Sequence, residues 1–175
     1  MEGLAESSGI TPRDVVAALP EQTHCFASAK KFMEVMNDIA TWGDVTVVLR
    51  TVDGCIEINS SVPPGELVHG YFHWLGGGKI RGHLRYDQCK SIAFVERSFM
   101  GSPSASVLFF NREGLIMFKV LVARDENNVP RENQLEAFRA LAIRVRWPNS
   151  GAPLNKGSSS SSFNRRLGRN SGVRK

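Results

Sequence analysis

The run Asp44-Val45-Thr46-Val47-Val48-Leu49-Arg50-Thr51-Val52-Asp53-Gly54-Cys55-Ile56-Glu57-Ile58-Asn59-Ser60 is where the chain changes its hydrophobic period. β-Branched residues crowd its first half and favour extended backbone, and Asp53-Gly54 is a pair that closes tight hairpins. Upstream the period is helical. Phe32, Val35, Met36 and Ile39 recur at three- and four-residue spacing and predict a helix from about Ser28 to Trp42, closed by Gly43. A shorter helix is predicted over Thr11 to Leu19, where Thr11 can cap, Pro12 suits the first helical position and Pro20 stops it.

Downstream the period stays at two. Strands are predicted at about Glu66 to Leu75, Lys79 to Tyr86, Lys90 to Arg97, Ser104 to Phe110 and Leu115 to Ala123. The links between them, Gly76 to Gly78, Asp87 to Cys89 and Asn111 to Gly114, are too short for helical crossovers, so the pairing should be antiparallel. A last helix spans about Arg131 to Arg146, with Leu135, Phe138, Leu141, Ala142 and Val145 on its inner face. The expected fold class is α+β: N-terminal helices, an antiparallel β-meander sheet and a C-terminal helix.

A chain of 175 residues suits one core, and composition sets its boundary. Residues 1–148 should form the domain. Residues 149–175 fall into Gly, Ser, Asn and Arg, with serines at every position from Ser158 to Ser162, and should be a disordered Ser/Arg-rich tail. The net charge of +5 belongs to that tail: six of the 22 basic residues lie beyond position 150 with no acid, leaving 16 against 17 acids before it. A domain near neutrality is a poor candidate for nucleic-acid binding, although the tail keeps that class open. No apolar run approaches the roughly 20 residues of a membrane span. The N-terminus has neither a basic start nor an apolar stretch, so a cytoplasmic location is expected. Cys25, Cys55 and Cys89 form no CxxC pair and are expected as buried free thiols.

Three of the four histidines lie within fifteen residues: His69, His73 and His83. If residues 66–75 form one strand, His69, Tyr71 and His73 share a face while Val68, Phe72 and Trp74 face the core. A three-residue turn at Gly76 to Gly78 would set Tyr71 opposite His83 and gather Lys79, Arg81 and Arg85 on the same side. His69 and His73, four residues apart along a strand, would stand about 13 Å apart and could not chelate one ion. Heme suits such a face better, since its iron takes one or two axial ligands and both tyrosine and histidine serve. Tyr71 and His83, directly opposite, would lie on one side of a porphyrin; one would ligate and the other orient it. Arg81, Lys79 or Arg85 could meet the propionates. The competing reading is an exposed polar strand face with no ligand.

The ordered set Trp42-Gly43-Asp44-Val45-Thr46, His69-Gly70-Tyr71-Phe72, Gly82-His83-Leu84, Ile92-Ala93-Phe94-Val95-Glu96-Arg97, Phe99-Met100-Gly101, Ser104-Ala105-Ser106-Val107, Phe109-Phe110-Asn111 and Phe118-Lys119-Val120 resembles successive motifs of the HutX/ChuX heme-utilisation proteins. The likeness runs from about Thr11 to Leu141. It implies a cytosolic heme carrier of bacterial heme uptake and iron acquisition. It also implies a homodimer, and exchange of heme with a heme-degrading enzyme or a heme transporter. By the same resemblance Tyr71 is the candidate iron ligand and His83 lies near the pocket. Arg50 stands where some members carry a histidine, so that histidine's role has no counterpart here. Trp42 and Phe94 are expected in the core, whereas Phe99 and Met100 precede a loop and suit a pocket wall or core packing equally.

No Ser-His-Asp spacing, phosphate loop or paired-carboxylate motif is present, so a non-catalytic carrier is the leading expectation. The alternative is an enzyme that opens the heme ring and releases its iron. The expected heme contacts are Tyr71, His83, His69, His73, Arg81, Phe99 and Met100, with Tyr71 and His83 nearest the iron.

Overall fold

The computed structural model describes residues 9–148 except 77 and 100, together with the backbone but not the side chain of Phe99. The chain opens on helix α1, Pro12–Ala17, whose entry is a reciprocal cap: the Asp14 backbone N–H donates to Thr11 Oγ1 at 3.2 Å, and the Thr11 N–H donates to the Asp14 carboxylate at 3.3 Å. A strand not foreseen in the sequence follows, β1 at His24–Ser28. After one 3-10 turn at Ala29–Lys31, helix α2 covers Phe32–Ile39, so the predicted helix is real but shorter at both ends. The hairpin of β2, Asp44–Thr51, and β3, Gly54–Ser61, forms as its turn chemistry dictates, with Thr51 paired to Gly54.

The next two predicted strands break into three short ones: β4, Gly65–Val68; β5, Tyr71–Trp74; and β6, His83–Leu84. Then come β7, Ser91–Phe99; β8, Ser102–Phe110; β9, Ile116–Leu121; and helix α3, Glu132–Val145. All pairing is antiparallel. Two sheets result: six strands in the order β1-β7-β8-β9-β2-β3, and a separate three-stranded sheet β4-β5-β6. The fold class is therefore the expected α+β, with the strands divided between two sheets.

Over β1, β7 and β8 the large sheet buries side chains on both of its faces. On one side Phe26, Ala93, Val95, Leu108 and Phe110 pack with Val16 of α1. On the other, Ile92, Phe94, Val107, Phe109 and Phe118 meet α2, α3 and Phe72 of the small sheet. Phe32 of α2 stands between Phe72 and Phe109, with ring centroids 5.4 Å from each. The small sheet is thus pinned to the core by a stack of aromatic rings. Trp42 and Phe94 are both core residues, as expected, their rings each against Phe138.

One buried polar side chain holds the helical layer to the sheet. Gln134, 2% exposed, donates from Nε2 to the carbonyls of Trp42 and Asp44, at 2.9 and 2.7 Å, and accepts from the Ala123 N–H at 2.8 Å. Every hydrogen-bonding atom of that amide except one lone-pair direction is used, which is what makes its burial tolerable.

Candidate functional site

The shared face survives for Tyr71, His73 and His83; His69, Lys79 and Arg81 leave the strands, and the register changes. Strand β4 ends at Val68, and His69 and Gly70 form a two-residue hairpin turn with φ values of 50° and 84°. Two consecutive positive φ angles characterise a type I′ turn, and its second position strongly favours glycine. His69 is therefore exposed at the turn instead of sharing a strand face with Tyr71 and His73. Gly70 is further hemmed by Asp87, whose carboxylate carbon would lie 3.4 Å from an added Cβ. The signal was present in the sequence: a histidine–glycine pair interrupting an alternating run.

The expected three-residue turn between adjoining strands is not what links β5 to β6. β5 ends at Trp74 and β6 begins at His83, and the Trp74 N–H donates to the Gly82 carbonyl at 3.2 Å. With the longer loop the register moves by two residues, so His83 is opposite His73 and Leu84 is opposite Phe72. The expected Tyr71–His83 pair is diagonal. Its rings nevertheless meet edge to face, with centroids 5.0 Å apart; Tyr71 to His73 is 6.2 Å and His73 to His83 is 5.5 Å. Arg81 and Lys79 are exposed in the loop before β6 and are not strand residues.

What the structure assembles is a three-ring face: Tyr71 and His73, both half-buried, beside the exposed His83. The opposite side of the same strands carries Phe72, 0% exposed, with Trp74 and Leu84 packed against the core. Alternation therefore turns a phenol and two imidazoles outward from a rigid backing.

Arg85 lies at the edge of this face, its guanidinium carbon 5.8 Å from the centre of the Tyr71 ring. It donates from Nε and Nη2 to the two Asp87 oxygens at 3.3 and 3.0 Å. The hydrogen bonds and charge of Arg85 hold the Asp87 carboxyl below its usual range, and Asp87 holds the guanidinium above its own. Asp87 is tied to the hairpin as well, since its backbone N–H donates to the Gly70 carbonyl at 3.3 Å. Asp87 was not singled out in the sequence, where it looked like a turn residue.

The remaining candidates divide. Phe99 closes β7 opposite Ser102, and Met100 lies outside the described residues, so neither pocket-wall expectation can be placed. The tail at 149–175 also lies outside them. Of the cysteines, Cys25 and Cys89 are buried as expected, whereas Cys55 is exposed on β3, a correction that follows from β3 being an edge strand. Among the described residues a cavity of about 430 Å³ opens elsewhere, beside Thr46, Asn59, Leu121 and Arg124, and no tyrosine or histidine lines it. No helix among them is long and apolar enough to cross a membrane.

Residues 25–141 match the model of the family described as Haem utilisation ChuX/HutX. The chain belongs to that family. The intracellular heme transport protein HutX of Vibrio cholerae serotype O1 is 29% identical over 139 residues, which cover 79% of this chain and 72% of that one. Among solved structures, a protein of Erwinia carotovora superposes with a TM-score of 0.80 at 41% identity, covering 83% of this chain and 90% of its own. The heme-binding protein ChuX superposes with a TM-score of 0.76 at 36% identity, covering 82% of this chain and 89% of its own. In this chain the small sheet of that fold carries the three-ring face.

Proposed function

We propose that this chain binds heme reversibly on the three-ring face and carries it between proteins, with Tyr71 as the iron ligand. The observation that supports this most is the donor set itself. A phenol and two imidazoles sit side by side, turned away from the core, on strands whose backs are fixed by Phe72. Phenolate is a hard oxygen donor suited to ferric iron, and tyrosine and histidine are both axial ligands of heme iron. The family and the names of its relatives, an intracellular heme transport protein and a heme-binding protein, support the same cargo.

The geometry favours one protein ligand on this face. With centroids 5.0 Å apart and no room for a macrocycle between them, Tyr71 and His83 stand on the same side of a porphyrin. His83 then orients the Tyr71 oxygen, the usual task of a residue next to a metal ligand. Arg85, engaged by Asp87, fixes the edge of the ring, which leaves Arg81 as the freer cation for a propionate. The reading extends to a homodimer working in the cytoplasm and passing heme to or from a heme-degrading enzyme or a heme transporter.

Titration of the purified protein with hemin, followed by absorbance, tests this. The expected result is a saturable Soret shift at one heme per chain that persists when ascorbate is added. Absence of saturable binding would refute the carrier reading. Bleaching of the band with release of iron and an open-chain pigment would replace it with heme degradation.

A further inference from the structure

Heme needs only one ligand from this face, yet two imidazoles stand directly opposite each other on adjacent strands. We propose that His73 and His83 also form a chelating site for a divalent transition-metal ion of the zinc type. Metal binding itself is independent of the heme reading, because it concerns the protein without heme; its competition with heme rests on that reading.

The distances carry it. A zinc–nitrogen bond of about 2.05 Å, added to roughly 1.15 Å from nitrogen to ring centre, places each imidazole centroid about 3.2 Å from the ion; a tetrahedral angle then separates two centroids by about 5.2 Å. The His73 and His83 centroids are 5.5 Å apart, with the ring planes inclined by 36°. Closing that gap takes a few tenths of an ångström and rotation about side-chain bonds, and His83 is exposed enough to turn. The backbone is already in place, since the two residues are register partners in β5 and β6. Register partners differ in this respect from His69 and His73, which the hairpin turn separates.

The surroundings suit a cation. Glu66 of β4 is the register partner of His73 on its other side, so a carboxylate, an imidazole and a second imidazole form one row across the small sheet. As placed, no group of three or more His, Cys, Asp or Glu side chains converges among the described residues, so the protein would supply two imidazoles to the ion. Two imidazoles leave two positions of a tetrahedral ion to water, one more than in a zinc site with three protein ligands. The nearby Arg85 charge is offset by the Asp87 carboxylate. Because Tyr71 lies 5.0 Å from His83, an ion held there occupies the space that heme needs, and the two ligands exclude each other.

The test is titration of the tag-free apoprotein with zinc chloride against a chromophoric zinc indicator, in a Cys55→Ser background that removes the exposed thiol. One ion per chain is expected at micromolar concentrations. His73→Gln and His83→Gln should each weaken binding at least tenfold with unchanged circular dichroism, while His69→Gln should leave it within twofold. Saturating zinc should also raise the hemin concentration needed for half-saturation. Binding that survives both His73→Gln and His83→Gln, or no binding below about 100 μM zinc (a free energy of about −5.5 kcal/mol), overturns the proposal. Neither result bears on whether hemin binds.

Discussion

At the scale of single residues, the three cysteines of the chain meet two different fates. Burial pushes the Cys25 thiol up to about 11 and the Cys89 thiol up to about 12, so neither supplies thiolate near neutral pH. Cys55 is exposed on β3. A thiol-reactive dye at pH 8 should therefore modify one cysteine per chain quickly and the other two only on unfolding. Equal rates at all three would contradict the burial assigned here. Gln134 offers a second test at this scale. Gln134→Ala strands the carbonyls of Trp42 and Asp44 and the N–H of Ala123 without their partner. Leaving buried polar groups unsatisfied costs about 1–3 kcal/mol each where water cannot replace the bond. A lowered denaturant midpoint at unchanged slope is the expected reading.

Among the elements, the β4–β5 hairpin decides where the site is. Its turn needs a residue at φ 84°, and Gly70 supplies it; Gly70→Val adds a branched side chain to a left-handed position already hemmed by Asp87. That variant should lose stability and also blunt hemin binding, through displacement of Tyr71. His69→Asn keeps a residue type tolerated at positive φ and should do neither. Comparing the two by thermal melting and by hemin titration separates a turn role for His69 from a ligand role. The alternating apolar residues made β2, β3 and β7 to β9 legible, because half-buried strands must follow period two. The helix cap at Thr11 was legible through its own chemistry, whereas the helix expected to close at Gly43 ends at Ile39 and is capped by Ala40. Two further features were not legible. β1 is only five residues long and nearly all buried, so it shows no alternation to read. The register of β6 depends on a long loop whose length no local pattern announces, and that shift moved His83 from Tyr71 to His73. Tyr71 and His83 still meet, because diagonal neighbours on a sheet remain within reach.

For the molecule as a whole, β3 leaves an eight-residue edge unpaired within the described chain, and Ile56 on it is 61% exposed. Edges of this kind attract partners unless they are blunted. The proposed homodimer predicts a mass near twice 19.3 kDa by light scattering at micromolar concentration; a value near 19.3 kDa would remove it. The proposed tail at 149–175 holds no histidine, tyrosine, cysteine or methionine, so truncation after Pro148 should preserve the hemin spectrum. A lost Soret shift in the truncated, folded protein would show that the tail belongs to the site. The central claim rests on one oxygen atom. Tyr71→Phe removes it while keeping the ring beside His73 and His83, so the fold should persist. Absorbance of the ferric hemin complex is the most direct measurement: the account predicts loss of the tyrosinate-type spectrum and at least tenfold weaker binding in that variant. An unchanged spectrum and affinity in Tyr71→Phe would contradict it.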